Sequence, residues 1–456
     1  MTIMMSKGRE ERQFGKKKKA DQRQPFQIDR DRLLYSHSFR RLAQVTQVVS
    51  ANEGRLFHNR LTHSLKVAQF ARRTAEKILK ETSPELLAKG GGLDPDVVEA
   101  AALAHDLGHP PFGHVAEYEL NRIAREAKLS DGFEGNAQTF RILTLLEPNR
   151  TEYPGLDLTR ATLNATIKYP WICYRTEKES AEEEDSKFKK RRKKYSVYDL
   201  DFPAFEFARE HFEDAEVEQQ TLEASIMEFA DDVTYSVHDL EDFYLAGLIP
   251  LDVLVGNSYE FQKLFVTWLN SLKVEDHKKL INAEDHGNIL YNFLDRLYSS
   301  EYAPGSVEQL SYVKQVTSGL IQRYIKSVSV VIEDEKRLSL KRSEQCHIEL
   351  EFLQFIVRKY VILNPRLATQ QAGQKRIIRE LFDIYNSALR DEQLNIIPAR
   401  FLRMGSLNKL LEEGDSESQR VRLAVDIVAS FSEPEAVLMY RRLTGVDQGS
   451  VMDYIS

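Results

Sequence analysis

Cysteine is nearly missing from this chain: Cys173 and Cys346 are its only two thiols in 456 residues, and they lie far apart. That excludes a disulfide framework and a zinc site built on thiolates, and it fits a reducing, cytoplasmic setting. No run of about 18 apolar residues occurs, so no membrane-spanning helix is expected. The basic N-terminus lacks the apolar stretch of a secretory signal. Glycine and proline are sparse, at 21 and 14 residues, and helix formers dominate. An excess of positive charge is also absent. At a net charge of −7, bulk charge does not make the molecule a polyanion binder. No internal repeat or long low-complexity linker divides the chain.

What is present is 42% hydrophobic residues, enough for a large core, patterned mostly at helical period. Residues 1–24 are polar and basic, with Lys16–Lys19, and are read as a mobile tail. Order is expected from about residue 25. Residues 25–250 are read as a helical core, and 251–456 as a C-terminal helical region of the same fold. Residues 176–196 form a charge block, acidic and then basic through Lys189–Lys194, expected as an exposed insertion. Ala43–Ser50 is rich in β-branched residues and reads as a short strand or a helix-exit loop.

The densest chemistry lies in Ala101–His114, where a helix-favouring run ends in His105-Asp106 and is stopped by Gly108 and Pro110-Pro111. His109 and His114 follow closely. Upstream, Arg60-Leu-Thr-His63 sits near the start of an amphipathic helix read from Leu56 to Ile78. Downstream, a helix read from Leu222 to Tyr244 carries Asp231, Tyr235 and Asp239 at intervals of four, on one face. Two imidazoles and two carboxylates from His63, His105, Asp106 and Asp231 would suit manganese, magnesium, iron or zinc. Such an ion polarises phosphoryl oxygens and lowers the pKa of bound water. Each residue also has a plainer reading. His63 can be a helix-face histidine, Asp231 a capping carboxylate, and Glu117 a first-turn helix acid. Tyr235 can be a half-buried aromatic, Lys168 surface charge, and Gln47 a polar strand residue.

The combined pattern His63 … His105-Asp106 … Asp231 resembles the signature of the HD-domain metal-dependent phosphohydrolases. Flanking segments narrow the resemblance: Arg30–Leu42, Asn59–Leu65, His105–His114, Gly132–Gln138, Lys168-Tyr-Pro-Trp, Ala230–Ser236 and Arg442-Leu-Thr-Gly are similar to the dGTPase family of deoxynucleoside-triphosphate triphosphohydrolases. The resemblance runs from about residue 26 to the C-terminus. It implies an all-α fold, an HD helical core with an additional C-terminal helical region packed on it. It implies a divalent ion held by His63, His105, Asp106 and Asp231: manganese or magnesium, with iron, zinc or cobalt as further candidates. It implies attack on the α-phosphorus of a dNTP, releasing deoxynucleoside and inorganic triphosphate.

By the same resemblance His114 and Glu117 form an acid/base pair, with His109 near the phosphates. Arg60 and Lys168 bind phosphate, and Tyr169 follows Lys168. Tyr235 packs on the deoxyribose, while Gln47 and Asp239 touch the sugar. Gln370 and Gln371 stand where many relatives carry an acidic residue, which leaves base preference open between dGTP and other dNTPs. Relatives form homo-oligomers, hexamers or tetramers, and some respond to dNTP effectors or single-stranded DNA. Two other readings compete. One is an HD enzyme acting on cyclic dinucleotides or guanosine polyphosphates. The other is a nucleic-acid-binding or dNTP-sensing HD protein with weak catalysis, motivated by the two basic runs and the arginine-rich opening helix with Arg30, Arg32, Arg40 and Arg41.

Overall fold

The computed structural model describes residues 8–15, 21–47, 58–173, 193–210, 218–272, 283–334, 337–402 and 417–447. The architecture is all-α apart from one small hairpin. At its centre is a helix that is buried all round. Asp94 caps it through the Asp96 amide and Pro95 occupies its first turn, where a missing N–H costs nothing. Its residues Val97, Val98 and Ala100–Ala104 are all buried. The small alanines let neighbours approach closely. In chain order the enclosing elements begin with α1 (Pro25–Leu34) and α2 (Arg60–Glu81), followed by the central α3 (Pro95–Ala104). Then come α4 (His114–Glu126), α5 (Gly135–Arg141), α6 (Arg160–Ala165) and α7 (Leu222–Leu245). Helices α1, α2, α6 and α7 pack directly on α3.

Helix α2 starts where the Asn59 side chain accepts the Thr62 amide. One stripe, from His63 through Val67, Ala71, Ala75 and Ile78, is buried. Helix α7 begins at a Thr221 cap and runs 24 residues. Its stripe of Ile226, Phe229, Ala230, Val233 and Val237 faces the same core. Both helices therefore aim polar residues from their buried faces at the C-terminal end of α3.

The C-terminal half divides between two separate apolar surfaces. The far end of α7, through Leu240 and Phe243, seeds a core with Leu251–Trp268, Leu290–Leu297 and the helix Glu344–Val357. Three further helices, α8 (Pro365–Arg390), α9 (Glu417–Ala429) and α10 (Glu433–Leu443), cover Ala116, Leu120, Ile123 and Ala124 of α4. Buried ion pairs fasten this second unit. Arg141 meets Asp201 at 2.7 Å and Asp426 at 2.9 Å. Arg422 meets Asp131 at 2.7 Å and stacks 3.6 Å above the Tyr198 ring.

Some local expectations change. Between the first core and the far end of α7, Val328–Asp334 and Arg337–Arg342 form an antiparallel hairpin, with Val330 opposite Leu340. Alternating β-branched and leucine residues favour strand there over helix. The connection 83–94 holds a short helix, Pro84–Lys89, capped by Ser83. Of the two readings of Ala43–Ser50, the described part follows the helix-exit loop: Leu42–Gln44 is a 3-10 turn and Val45–Gln47 is not strand. The tail expectation needs correction for residues 8–15, which lie against the body. Arg9 pairs with Glu223 at 2.5 Å, Arg12 with Asp29 at 2.6 Å, and Phe14 stacks on Tyr153. Buried carboxylates attract these arginines, which outweighs the solvation of a polar segment. Lys16–Lys19 lie outside the described residues, as does 176–192 of the charge block.

Phe229 is fully buried and meets Phe70 edge-on at 5.6 Å. Phe229→Ala should therefore destabilise the protein by about 3–5 kcal/mol. Chemical denaturation checks this, and a change below about 1 kcal/mol would contradict the central placement of α7.

Candidate active site

The site forms where α3 ends. Val97–Ala104 bury the helix, and its last turn delivers His105 and Asp106 at the point where the chain must leave the core. Gly108 makes the exit possible: a Cβ there would lie 2.0 Å from the Gly135 carbonyl oxygen and 2.4 Å from the Thr139 nitrogen. The turn continues through Phe112 (φ 69°) and Gly113 (φ 58°) into His114, the first residue of α4.

His63 from α2, His105 and Asp231 from α7 converge, offering ligand atoms all within 4.8 Å of one another. Asp231 Oδ1 lies 3.2 Å from His63 Nε2 and 3.5 Å from His105 Nε2. Asp106 Oδ2 adjoins the group, also 3.5 Å from His105 Nε2. The orientation of His105 decides what this arrangement asks for. Its Nδ1 sits 2.6 Å from the Ala102 carbonyl, an acceptor, so Nδ1 carries the hydrogen. Nε2 then aims a lone pair at two carboxylates and is buried with no hydrogen-bond partner. A lone pair facing two anions in a buried site is satisfied by a proton or a cation. Burial opposes charge on His105, but Asp106 and Asp231 outweigh it and push the imidazole up to about 9. The donor set of two imidazoles and two carboxylates thus fits a divalent ion.

Cationic groups balance the carboxylates from behind. Arg60 Nη1 holds Asp106 Oδ2 at 2.6 Å and its Nε donates to the Thr46 carbonyl at 2.8 Å. Lys168 Nζ holds the outer oxygen of Asp231 at 3.2 Å. Burial disfavours both carboxylates in charged form. Arg60 then holds Asp106, and Lys168 holds Asp231, well below the usual carboxylate range.

A second group adjoins the first. His109 Nδ1 lies 3.0 Å from Asp106 Oδ1, and burial together with Arg60 pushes His109 down to about 4, so it is neutral near pH 7. His114 Nδ1 meets Glu117 Oε2 at 2.8 Å. Burial raises Glu117, but His114 and Lys194 outweigh it and hold the carboxyl far down. The exposed His114 ring is thus oriented through Nδ1, which leaves Nε2 to exchange a proton.

Farther along α7, burial and Asp242 push Asp239 well up, and its Oδ2 has no partner. Tyr235 is half-buried one turn before it and is pushed up by burial and by Asp239. The Gln47 Oε1 and Arg60 Nη2 atoms are likewise buried and unpartnered. Orphaned buried polar atoms are uncommon in native proteins and cost free energy, so Arg60 Nη2 and His105 Nε2, on side chains that both meet Asp106, mark a place for a polar ligand. The Tyr169 ring packs on Trp171 at 5.6 Å, flanking Lys168.

Two residues of this site have no role in the sequence reading. Lys194 Nζ reaches Glu117 at 3.2 Å and Glu134 at 3.0 Å. Glu134 caps α5 through the Asn136 and Ala137 amides. The end of the expected exposed insertion therefore reaches Glu117 and Glu134 beside His114. A signal was present: the basic run stops at Tyr195-Ser-Val-Tyr198, a pattern of buried aromatics that anchors the lysine beside it.

An HD domain matches residues 60–236, a span that contains His63, His105, Asp106 and Asp231. A phosphohydrolase-associated domain matches residues 340–442. A deoxyguanosinetriphosphate triphosphohydrolase-like protein of Streptomyces coelicolor is 34% identical, over 93% of each chain. The chain belongs to that family. Another such protein of this HD phosphohydrolase family, from Pasteurella multocida, is 30% identical over 94% of this chain and 96% of its own. One from Bifidobacterium longum is 32% identical over 94% and 85%. Among the described residues, no helix is long and apolar enough to cross a membrane.

A protonated His105 and a bound cation compete for the same Nε2. Because the metal-free imidazole titrates at about 9, Mn²⁺ affinity should rise by about tenfold per pH unit from pH 7 towards 9, then level off. Uptake should release about one proton per ion near pH 7. Calorimetry in buffers of different ionisation enthalpy measures both. Affinity independent of pH, with no proton release, would contradict the assigned orientation of His105.

Proposed function

We propose that this chain is a metal-dependent dNTP triphosphohydrolase, cleaving dGTP and other dNTPs to deoxynucleoside and inorganic triphosphate. The observation that carries the reading is the juxtaposition of a cation-ready His/Asp cluster with an oriented His114–Glu117 pair. The names of the relatives supply the substrate class.

His63, His105, Asp106 and Asp231 would hold the ion, manganese or magnesium in the first instance. Bound there, it would supply Lewis acidity towards phosphoryl oxygens. The chain's own residues do the rest. Arg60 Nη2 is a buried donor without a partner, suited to an anionic oxygen. Lys168 and Lys194 add positive charge on two sides. Water attacks the α-phosphorus, the bond to O5′ breaks, and the proton the water loses passes to solvent, from which His114 is reprotonated after turnover. His114 Nε2 gives its proton to the leaving O5′, and Glu117 holds the Nδ1 hydrogen throughout. Tyr235, with Gln47 and Asp239, forms the sugar pocket, where the tyrosine ring leaves no room for a 2′-hydroxyl. The reading as a nucleic-acid-binding or dNTP-sensing protein draws on basic runs of which Lys194 turns inward to Glu117 and Glu134, and an intact acid/base pair favours the enzyme.

The test is a dNTP panel with Mn²⁺ or Mg²⁺ and resolved products. Triphosphate is the expected product; orthophosphate or pyrophosphate would defeat the mechanism. His114→Ala should lower kcat by about 10²–10⁴ while Mn²⁺ binding stays unchanged. Tyr235→Ala should bring GTP hydrolysis closer to dGTP hydrolysis, and an unchanged ratio of kcat/KM would remove the tyrosine from the sugar pocket.

A further inference from the structure

The catalytic turn is held from a direction that the HD motif does not include. Arg41 lies at the end of the short helix His37–Arg41. Its Nη2 donates to the Leu107 and His109 carbonyls at 2.7 and 2.8 Å. Its Nη1 donates to the Ala429 and Phe431 carbonyls at 3.2 and 3.0 Å. One guanidinium thus bridges the turn after His105-Asp106 and the C-terminal end of α9. A planar fork can span four acceptors in this way; a lysine ammonium is a point donor and cannot.

Glu433 makes the second tie from the first turn of α10. Its Oε1 accepts the Thr46 amide at 2.6 Å and the Phe112 amide at 3.2 Å. Both amides matter to the site. Thr46 passes the constraint on, since its carbonyl accepts Arg60 Nε and Arg60 holds Asp106. Phe112 is the left-handed residue that opens the bend into Gly113 and His114. The space is tight there: a Cβ on Gly113 would lie 3.2 Å from the Thr46 carbonyl and 3.3 Å from Arg60 Nη2. A shift of the Thr46 peptide would therefore move Arg60 against the catalytic turn.

We infer that Arg41 and Glu433 are positioning residues through which the C-terminal helices set the catalytic turn. The cation site then depends on a region that supplies none of its proposed ligands. A hydrogen-bond relay runs from Glu433 through the Thr46 peptide and Arg60 to Asp106. A parallel tie runs from α9 through Arg41 to the carbonyls beside His105. The functional meaning rests on the proposed metal-dependent hydrolysis, but the geometry can be tested on cation binding alone.

The test uses the full-length chain and Mn²⁺ as probe, followed by electron paramagnetic resonance, with thermal melting in parallel. Glu433→Gln keeps an amide oxygen able to accept both N–H groups. Glu433→Met keeps the volume and loses the acceptor. The Gln variant should bind Mn²⁺ like the wild type, and the Met variant about tenfold more weakly. Arg41→Lys should weaken binding in the same direction. A Met variant that melts lower yet binds Mn²⁺ with wild-type affinity would assign Glu433 to stability alone and overturn the inference. Equal loss in the Gln and Met variants would also overturn it, because charge rather than the accepted hydrogen bonds would then be at work. Should the Met variant not fold, Arg41→Lys decides: unchanged Mn²⁺ affinity overturns the inference. Wild-type protein that binds Mn²⁺ but leaves dNTPs intact would defeat the proposed function and leave the positioning role standing.

Discussion

The structure turns on the conflict at His105. Its Nδ1 hydrogen is committed to the Ala102 carbonyl, so Nε2 faces two carboxylates and is left to take a proton or a cation. Bringing Asp106 and Asp231 this close in a protein interior is costly unless positive charge lies between or behind them. The protein supplies the charge behind, as Arg60 and Lys168, and leaves the place between for a proton or a metal ion. A buried histidine that needs a cation is a sign of chemistry rather than of packing.

The rest of the fold serves to make that conflict possible. An alanine-rich helix is buried all round so that its end can be placed at the centre of the molecule. Gly108 then allows two turns to meet at a separation no side chain would permit. Long helices on two sides, α2 and α7, bring His63 and Asp231 to the same spot, and buried ion pairs through Arg141 and Arg422 lock the C-terminal helices behind α4. The His114–Glu117 pair at the start of α4 is thereby tied to a scaffold larger than the HD core.

Much of this was legible in the chain. Helical periodicity placed α2, α3 and α7 to within a few residues, because each has a continuous apolar stripe and a clear cap or stop. The ligand candidates were legible for the same reason: His105-Asp106 sits at a helix end marked by Gly108 and Pro110. Asp231, Tyr235 and Asp239 share a face by spacing alone. Legibility failed where local sequence and long-range contacts disagree. The basic tail looked solvated, yet buried acids at Asp29 and Glu223 hold residues 8–15. Lys194 looked like one more exposed lysine, yet Glu117 and Glu134 draw it inward. The hairpin at 328–342 was hidden inside a stretch that is otherwise helical.

By itself the sequence determined the inventory and the local geometry: which helices form, where they stop, and which side chains share a face. Those follow from short-range rules of period, capping and turn chemistry. Only the tertiary structure decided which of these groups meet. That Asp231 shares its two oxygens between two imidazoles and a lysine, that Glu433 reaches back 387 residues to the Thr46 amide, and that Arg41 joins two helix ends are contacts across the fold. They depend on how apolar stripes pack together. No local pattern encodes them, because hydrogen bonds and buried charges find partners by distance in space.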